Sequence, residues 1–141
     1  MAEYDNVSDI KIAITVPMLA HTAAVTAGTT VDTKGFEAAT IIFASGTITA
    51  GTADFTVQEA PDNGSGAAGA WTDVAAVNLI GTVPTIAATD DNKVSRVGYR
   101  GKSRFIRVNM AETVTFTSHI HSVLVALGAA STVPVTAQLN A

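Results

Sequence analysis

Two histidines that lie two residues apart could, by type and spacing, bind a metal ion. His119 and His121 occupy positions i and i+2, and on a β-strand this spacing places both imidazoles on one face. Neutral imidazole is a common zinc ligand, but a site needs at least one further ligand. The remaining candidates are His21 and carboxylates that the sequence does not bring near the pair. We therefore expect no metal site and interpret the pair as surface or interface residues, whose protonation near pH 6 would make assembly sensitive to pH.

Catalytic motifs are not apparent in the chain. The glycine-rich segment at residues 64–69, Gly-Ser-Gly-Ala-Ala-Gly, lacks the Lys-Ser/Thr ending and the following helix of a phosphate-binding loop. The chain contains no Gly-x-Ser-x-Gly motif for a serine nucleophile and no cysteine. We expect a protein without enzymatic activity and without a cofactor. Residues 61–70 are interpreted as a flexible hairpin tip that leads into Trp71.

Most of the basic residues are concentrated in one stretch, although the formal net charge is −4. Six of the eight lysines and arginines are Lys93, Arg96, Arg100, Lys102, Arg104 and Arg107. Such a cluster favours an acidic partner. The alternatives are cross-strand pairing with Glu59, Asp90, Asp91 or Glu112, and, as the minor one in an acidic chain, binding of nucleic acid. We predict that these six residues and Trp71 bind a protein partner.

The elements that must position these residues are predicted to be β-strands, because apolar residues alternate with small or polar ones. Hydrophobic residues make up 48% of the 141 residues, which is enough for one domain with a sizeable core. Strands are predicted over residues 10–16, 38–44, 54–59, 94–99, 104–110 and 113–127. We predict an all-β fold, a jelly-roll-like antiparallel β-sandwich over residues 10–127, with extended arms at residues 1–9 and 128–141.

The alternation also predicts which side chains face the core. In the first strand Ile10, Ile12, Ile14 and Val16 are predicted to form the buried face. In the last strand the residues predicted to point inward are Val114, Phe116, Ile120 and Leu124. This phase places His119 and His121 on the outer side of that strand.

Features of a membrane or secreted protein are not evident. The acidic start of the sequence leads into no apolar segment of a signal peptide, and no uncharged apolar run reaches the length of a membrane span. We expect a soluble protein made in the cytoplasm. Charged residues make up only 14% of the chain, which predicts that partners cover much of its surface.

Four stretches of the sequence resemble a known group of proteins. They are Val-Asp-Thr-Lys-Gly-Phe-Glu at 31–37, residues 55–62, Trp-Thr-Asp-Val at 71–74, and residues 97–108. Across roughly residues 30–127 the chain resembles small structural proteins encoded in the head-gene modules of tailed bacteriophages. These motifs are structural rather than catalytic. The Gly/Ala-rich segment at 64–70 is longer here than in the group.

The resemblance implies a virion component, a decoration or cement protein on the outside of the assembled capsid. It implies the major capsid protein as partner and self-association as a homotrimer. The host cytoplasm would be the place of synthesis. The predicted arms could add strands to neighbouring sheets, and many repeated contacts would reinforce attachment.

Two other functions remain open at this point. A carbohydrate- or host-surface-binding module would need exposed aromatic rings, and Trp71, Tyr99 and Tyr4 are the candidates, although aromatic residues make up only 6% of the chain. A head–tail connector or tail component would also fit the acidic balance, and closed ring assembly would identify it.

Overall fold

The computed structural model describes residues 8–132, and β-strands dominate this part of the chain. The strands are β1 (Lys11–His21), β2 (Val31–Asp32), β3 (Phe36–Ala60), β4 (Thr72–Asp73), β5 (Leu79–Ile80), β6 (Thr85–Ala87), β7 (Val94–Tyr99) and β8 (Phe105–Ala130). Two short 3₁₀ turns, Ala76–Asn78 and Ala88–Asp90, are the helical elements among the described residues. The predicted all-β fold is confirmed.

The strands form a single open sheet in the order β1-β8-β3-β7-β5, and every pairing is antiparallel. β2 pairs with β8, while β4 and β6 pair with β3. Because all eight strands belong to one sheet, the predicted sandwich of two separate sheets is not confirmed. The centre of the observed sheet is the pairing of β3 with β8, which runs from Phe36 opposite Ala130 to Ala60 opposite Phe105.

This long β3–β8 ribbon folds back on itself. An extended strand would separate positions 43 and 55 by about 40 Å, but the rings of Phe43 and Phe55 meet edge to face with centroids 5.2 Å apart. The bend lies where the β3–β8 register shifts repeatedly between Ser45 and Ala53, because each bulge kinks the strand. Gly51 permits the closest approach: it has φ +112°, and a Cβ atom there would lie 2.5 Å from the Phe116 ring.

The hydrophobic core lies between the two halves of the folded ribbon. From one half come Ile41, Phe43, Val123, Val125 and Leu127, and from the other Phe55, Val57, Ile106, Val108 and Met110. Alternation places Phe55 with Val57, and Ile106 with Val108 and Met110, on one side of their strands, and the structure buries all five. Thr72 and Asp73 pair back onto Glu59 and Gln58, which confirms the predicted hairpin that has residues 61–70 at its tip.

The predicted buried face of the first strand is wrong at Ile10, Ile12 and Ile14 and is confirmed at Val16. Ile10, Ile12 and Ile14 are 37%, 50% and 46% exposed, whereas Thr15 and Val16 are fully buried. β1 is an edge strand whose inner face carries Lys11, Ala13 and Thr15 toward the folded ribbon. Val16 joins that face because the β1–β8 register shifts between Ile14 and Val16.

Of the residues predicted to point inward from the last strand, only Phe116 is buried, although Thr113, Thr115 and Thr117 face outward as predicted. Val114 is 57% exposed, and Ile120 and Leu124 are only partly buried, whereas His119 and His121 are fully buried. Apart from Phe105 and Ser122, the buried positions of β8 are even-numbered up to Phe116 and odd-numbered from His119 onward, because the register irregularities opposite residues 45–53 reverse the alternation.

The predicted boundary of the C-terminal arm at residue 128 falls within a strand. β8 continues to Ala130, with Gly128 opposite Ala38 and Ala130 opposite Phe36. The backbone N–H of Ala130 also donates to the Asp9 carboxylate at 2.8 Å. The remainder of the two predicted arms, residues 1–7 and 133–141, lies outside the described residues.

Candidate functional site

One face of the sheet is apolar but is not covered by the folded ribbon. Residues directly opposite one another on paired strands point to the same face. One cross-strand row on this face consists of Ile14, Leu124, Ile42 and Arg96. The next row consists of Ile12, Ala126, Thr40, Gly98 and Ile80. We call these two rows, together with Val94 beside them on β7, the outer face.

The outer face is broad and solvent-accessible within the described structure. It crosses five strands, a width of about 19 Å at the usual strand spacing. Val94 is 72% exposed and Ile80 is 59% exposed, while Ile42 and Leu124 at its centre are partly exposed. Contiguous apolar surface of this kind marks interaction sites on soluble proteins.

The charge on the outer face has one sign. Its rows contain no carboxylate, and their charged residue is Arg96, which is exposed and forms no ion pair among residues 8–132. Because Arg96 stands at the β7 end of its row, the outer face suits a partner that presents an apolar patch with a carboxylate at its edge.

The basic stretch divides into paired and unpaired residues. Lys93 pairs with Asp90 at 2.8 Å, but this is a local contact three residues apart rather than the cross-strand pair that one sequence alternative proposed. Arg104 forms a bidentate pair with Asp32, at 2.9 Å from Nε and 2.7 Å from Nη2, and also contacts Asp62. The hydrogen bonds from Arg104 hold the pKa of Asp32 below its ordinary value. Arg104 is therefore occupied within the fold.

Trp71 and Arg107 contact each other rather than standing free. The Arg107 guanidinium lies over the indole ring at 4.3 Å from its centroid and donates to the Gln58 side chain at 2.8 and 3.0 Å. This cation–π contact covers one face of the indole. A stacking site for a sugar at Trp71 is therefore half occupied by the protein itself.

Arg96, Arg100 and Lys102 are the exposed members of the stretch that lack an ion pair in the described part of the chain. Two of the carboxylates expected to pair with the stretch are engaged elsewhere. Glu59 accepts a hydrogen bond from the Tyr99 hydroxyl, and Glu112 accepts one from the Phe116 backbone N–H. Burial raises the pKa of Tyr99, so the hydroxyl remains the donor.

Lys102 lines an open groove of about 450 Å³ with Lys34 and Tyr99.

The chain's histidines meet at the bend of the ribbon, contrary to their predicted surface position. The His21 ring stacks on that of His121 with centroids 4.1 Å apart and planes at 19°. Imidazole lone pairs lie in the ring plane, so two nearly parallel rings cannot direct them to one ion. No group of three or more histidine and acidic residues among residues 8–132 is arranged to hold a metal.

Comparisons with known proteins give little further information. No family model and no curated protein sequence matches the chain. Among solved structures, the chain is similar to the crystal structure of the infectious bursal disease virus VP2 subviral particle, with a TM-score of 0.37 and 11% identity. The similarity covers 86% of this chain but 32% of that chain, so this chain spans about a third of its length. So distant a likeness carries no functional argument.

None of the described helical elements is long and apolar enough to cross a membrane.

The outer face was not identified as a candidate site from the sequence. Its signal was the apolar alternation at Ile10, Ile12 and Ile14, which was assigned to the core. Residues 38–44, apolar at both odd and even positions, carried the same signal. The odd-numbered residues of this segment, such as Ile41, face the core, and the even-numbered ones, such as Ile42, face outward.

Proposed function

We propose that the protein is a non-enzymatic structural component of a virion, a decoration protein that binds the outer surface of a tailed-phage head and stabilises it. The single observation that carries this proposal is the outer face, a broad apolar surface with one arginine and no carboxylate. Such a surface binds another protein rather than a small polar substrate. The resemblance of residues 30–127 to phage head-module proteins supplies the kind of partner.

Exposed cations on and near the outer face also favour binding of a protein partner. Arg96 lies on the outer face, and Arg100 and Lys102 follow in the same stretch without ion pairs in the described structure. Charges at the rim of an interface mainly accelerate association and select the partner, whereas apolar contacts hold the complex. The proposed partner is the major capsid protein, with an acidic rim around an apolar patch. We further propose a homotrimer as the binding unit.

Co-sedimentation with undecorated phage capsids tests the proposal, paired with light scattering on the free protein to establish its oligomeric state. Saturable binding together with an increase in capsid thermal stability is the expected result. A protein that does not sediment with capsids but forms closed rings would contradict it and support a connector component.

Matched variants test whether the outer face makes the contact. Ile14→Asp and Val94→Asp place a charge on the outer face, whereas Val114→Asp places the same charge on an exposed valine opposite Thr52, in the bend. We expect the first two changes to reduce capsid binding at least 100-fold and the third to leave it unchanged. Equal loss in all three would exclude the outer face as the contact surface.

Charge reversal tests the electrostatic contribution. Arg96→Glu, Arg100→Glu and Lys102→Glu should each slow association, and raising the salt concentration should slow wild-type association in parallel. Arg104 is unsuitable for this test, because its ion pairs with Asp32 and Asp62 are internal. An association rate that does not change with salt would contradict an electrostatic contribution.

A further inference from the structure

The three histidines of the chain form one buried group, which we call the histidine cluster. His119 and His121 are fully buried and His21 is 5% exposed. The Nδ1 atoms of His119 and His121 lie 2.9 Å apart, and the His21 ring covers that of His121. The cluster joins β1 to β8, since His21 pairs with His119 and Leu19 with His121 in the sheet.

The hydrogen bonds assign one tautomer to each ring of the pair. His119 Nε2 lies 3.2 Å from the Ile86 carbonyl oxygen, which can only accept, so this nitrogen carries a proton. In neutral His119 the Nδ1 atom is then the acceptor, and His121 Nδ1–H must donate to it across 2.9 Å. His121 Nε2 is left as a bare lone pair, and it is the buried side-chain atom that has no hydrogen-bond partner in the described structure.

His21 is fixed independently of the pair. Its Nε2 atom lies 3.0 Å from the carbonyl oxygen of Pro17 and donates to it. Pro17 and the residues around it interrupt the pairing of β1 with β8, which shifts register between Val16 and Leu19. Across residues 17–21 the side chain of His21 is the buried one, whereas Met18 and Leu19 are 61% and 47% exposed. This end of β1 is therefore anchored by His21.

A proton added at the free position of this cluster would have no hydrogen-bond partner among the described residues. The free position is His121 Nε2, and the neighbours of that ring are Phe55, Phe116 and the other two imidazoles. Burial, followed by the proximity of His21 and His119, lowers the pKa of His121 to about 3. Burial also lowers the pKa of His119, against the weaker opposing effects of the Ile86 carbonyl from β6 and of Asp91 from the turn before β7.

We propose that the histidine cluster is an acid-labile anchor, which holds residues 17–21 of β1 on the bend of the ribbon at neutral pH and releases them on acidification. The neutral rings fit the buried pocket and satisfy one another. The released segment exposes the imidazoles to water, where they take up protons. This inference does not depend on the proposed function.

The direction and size of the pH effect follow from linkage. A histidine that is neutral when buried and ionises near pH 6.5 once exposed binds more protons in the open state, so acid favours opening. The ratio of closed to open molecules falls about ten-fold per pH unit below about 6.5 for each such histidine. With both His119 and His121 released, the ratio falls about a hundred-fold per unit.

Hydrogen exchange on the full chain between pH 7 and pH 5 tests the anchor, with protection factors corrected for the intrinsic pH dependence of exchange. We expect the protection of those amides among residues 19–21 that hydrogen-bond to β8 to fall by ten-fold or more per unit below pH 6.5. Protection at Ile41 and Val97, which pair in the middle of the sheet, should remain unchanged. An identical response in both segments would overturn the anchor and indicate global unfolding.

Two variants and one spectrum separate the cluster from general acid effects. His121→Phe retains an aromatic ring that cannot be protonated and should reduce the pH dependence at residues 19–21 by about ten-fold per unit. Thr117→His adds a histidine at an exposed position of the same strand and should leave the dependence unchanged. If His121→Phe fails to fold, imidazole ¹⁵N shifts of the wild type decide the matter. Ionisation of His119 and His121 near pH 6.5, with protection at 19–21 retained, would overturn the proposal.

Discussion

Two adjacent isoleucines on β3 have opposite environments, although they belong to equally apolar cross-strand rows. Ile41 is fully buried between Val125 and Val97, whereas Ile42 faces outward between Leu124 and Arg96 and is partly exposed. The chain itself covers the first row, because the β3–β8 ribbon folds over it. It does not cover the second row within residues 8–132. An apolar row therefore indicates a surface that is buried by other protein. The topology decides whether the same chain or a partner buries it.

The largest expected effect tests this contrast directly. Ile41→Ala should lower the free energy of unfolding by about 2–5 kcal/mol, since it removes buried methyl groups and leaves a cavity. Ile42→Ala should cost about 1 kcal/mol or less, because its side chain is already partly in water. Urea denaturation of both variants measures the difference. Equal losses would show that the outer face of the isolated protein is packed like the core.

A second substitution disturbs the bend that folds the β3–β8 ribbon over the row of Ile41, rather than the row itself. Gly51→Ala should cost about 1–3 kcal/mol, because position 51 has φ +112° and an added Cβ atom would meet the Phe116 ring. Gly64→Ala is the matched control, since Gly64 has φ +91° but a Cβ atom added there would have no neighbouring atom within 4 Å. Thermal unfolding should show the larger loss at position 51. If the control loses as much, backbone conformation rather than the close approach at the bend limits stability.

The ion pair at the end of the ribbon away from the bend should contribute less than apolar burial. Asp32→Asn should cost about 0.5–1 kcal/mol, because the Asp32 carboxylate and Arg104 remain partly exposed to solvent. The lowered pKa of Asp32 gives the sign: its contribution is present above the ordinary value of 3.8 and is lost as pH falls below it. Urea denaturation should show a smaller difference between variant and wild type at pH 3 than at pH 7. A difference of equal size at both pH values would assign it to packing.

The smallest expected effect on stability concerns the outer face. Val94→Ser should change the free energy of unfolding by about 0.5 kcal/mol or less, since the side chain is 72% exposed. It should nevertheless reduce the binding of a hydrophobic dye to the free protein. A loss above about 1 kcal/mol would mean that Val94 is covered in solution, by a second copy or by residues outside the described part.

The sequence sufficed for the fold class and for most strand positions, because alternation and turn residues are local signals. The burial of Phe55, Val57, Ile106 and Val108 followed from alternation alone. The errors have two other causes. Ile12 and Ile14 were assigned to the core although they lie on the apolar outer face, and the errors at His119 and His121 arise at the bend. Bulges near the bend reverse the alternation, and no local pattern specifies where a register shifts.

The candidate site was only partly predictable for a similar reason. The basic stretch was evident, but the partners of Arg104, Asp32 and Asp62, are distant in sequence and meet it only in the folded sheet. The histidine cluster required His21 to reach His119 across the β1–β8 pairing. The outer face required knowledge of which side of β3 the folded ribbon covers.

The position of β8 has a consequence for how the chain is made. β8 lies between β1 and β3 and supplies the pairing partner for both, yet it comes last among the described strands. During synthesis, β1 and β3 therefore leave the ribosome long before the strand that joins them. A sheet built on such non-local pairing folds slowly and exposes unpaired edges in the meantime. The nascent chain should thus depend on chaperones more than its size suggests.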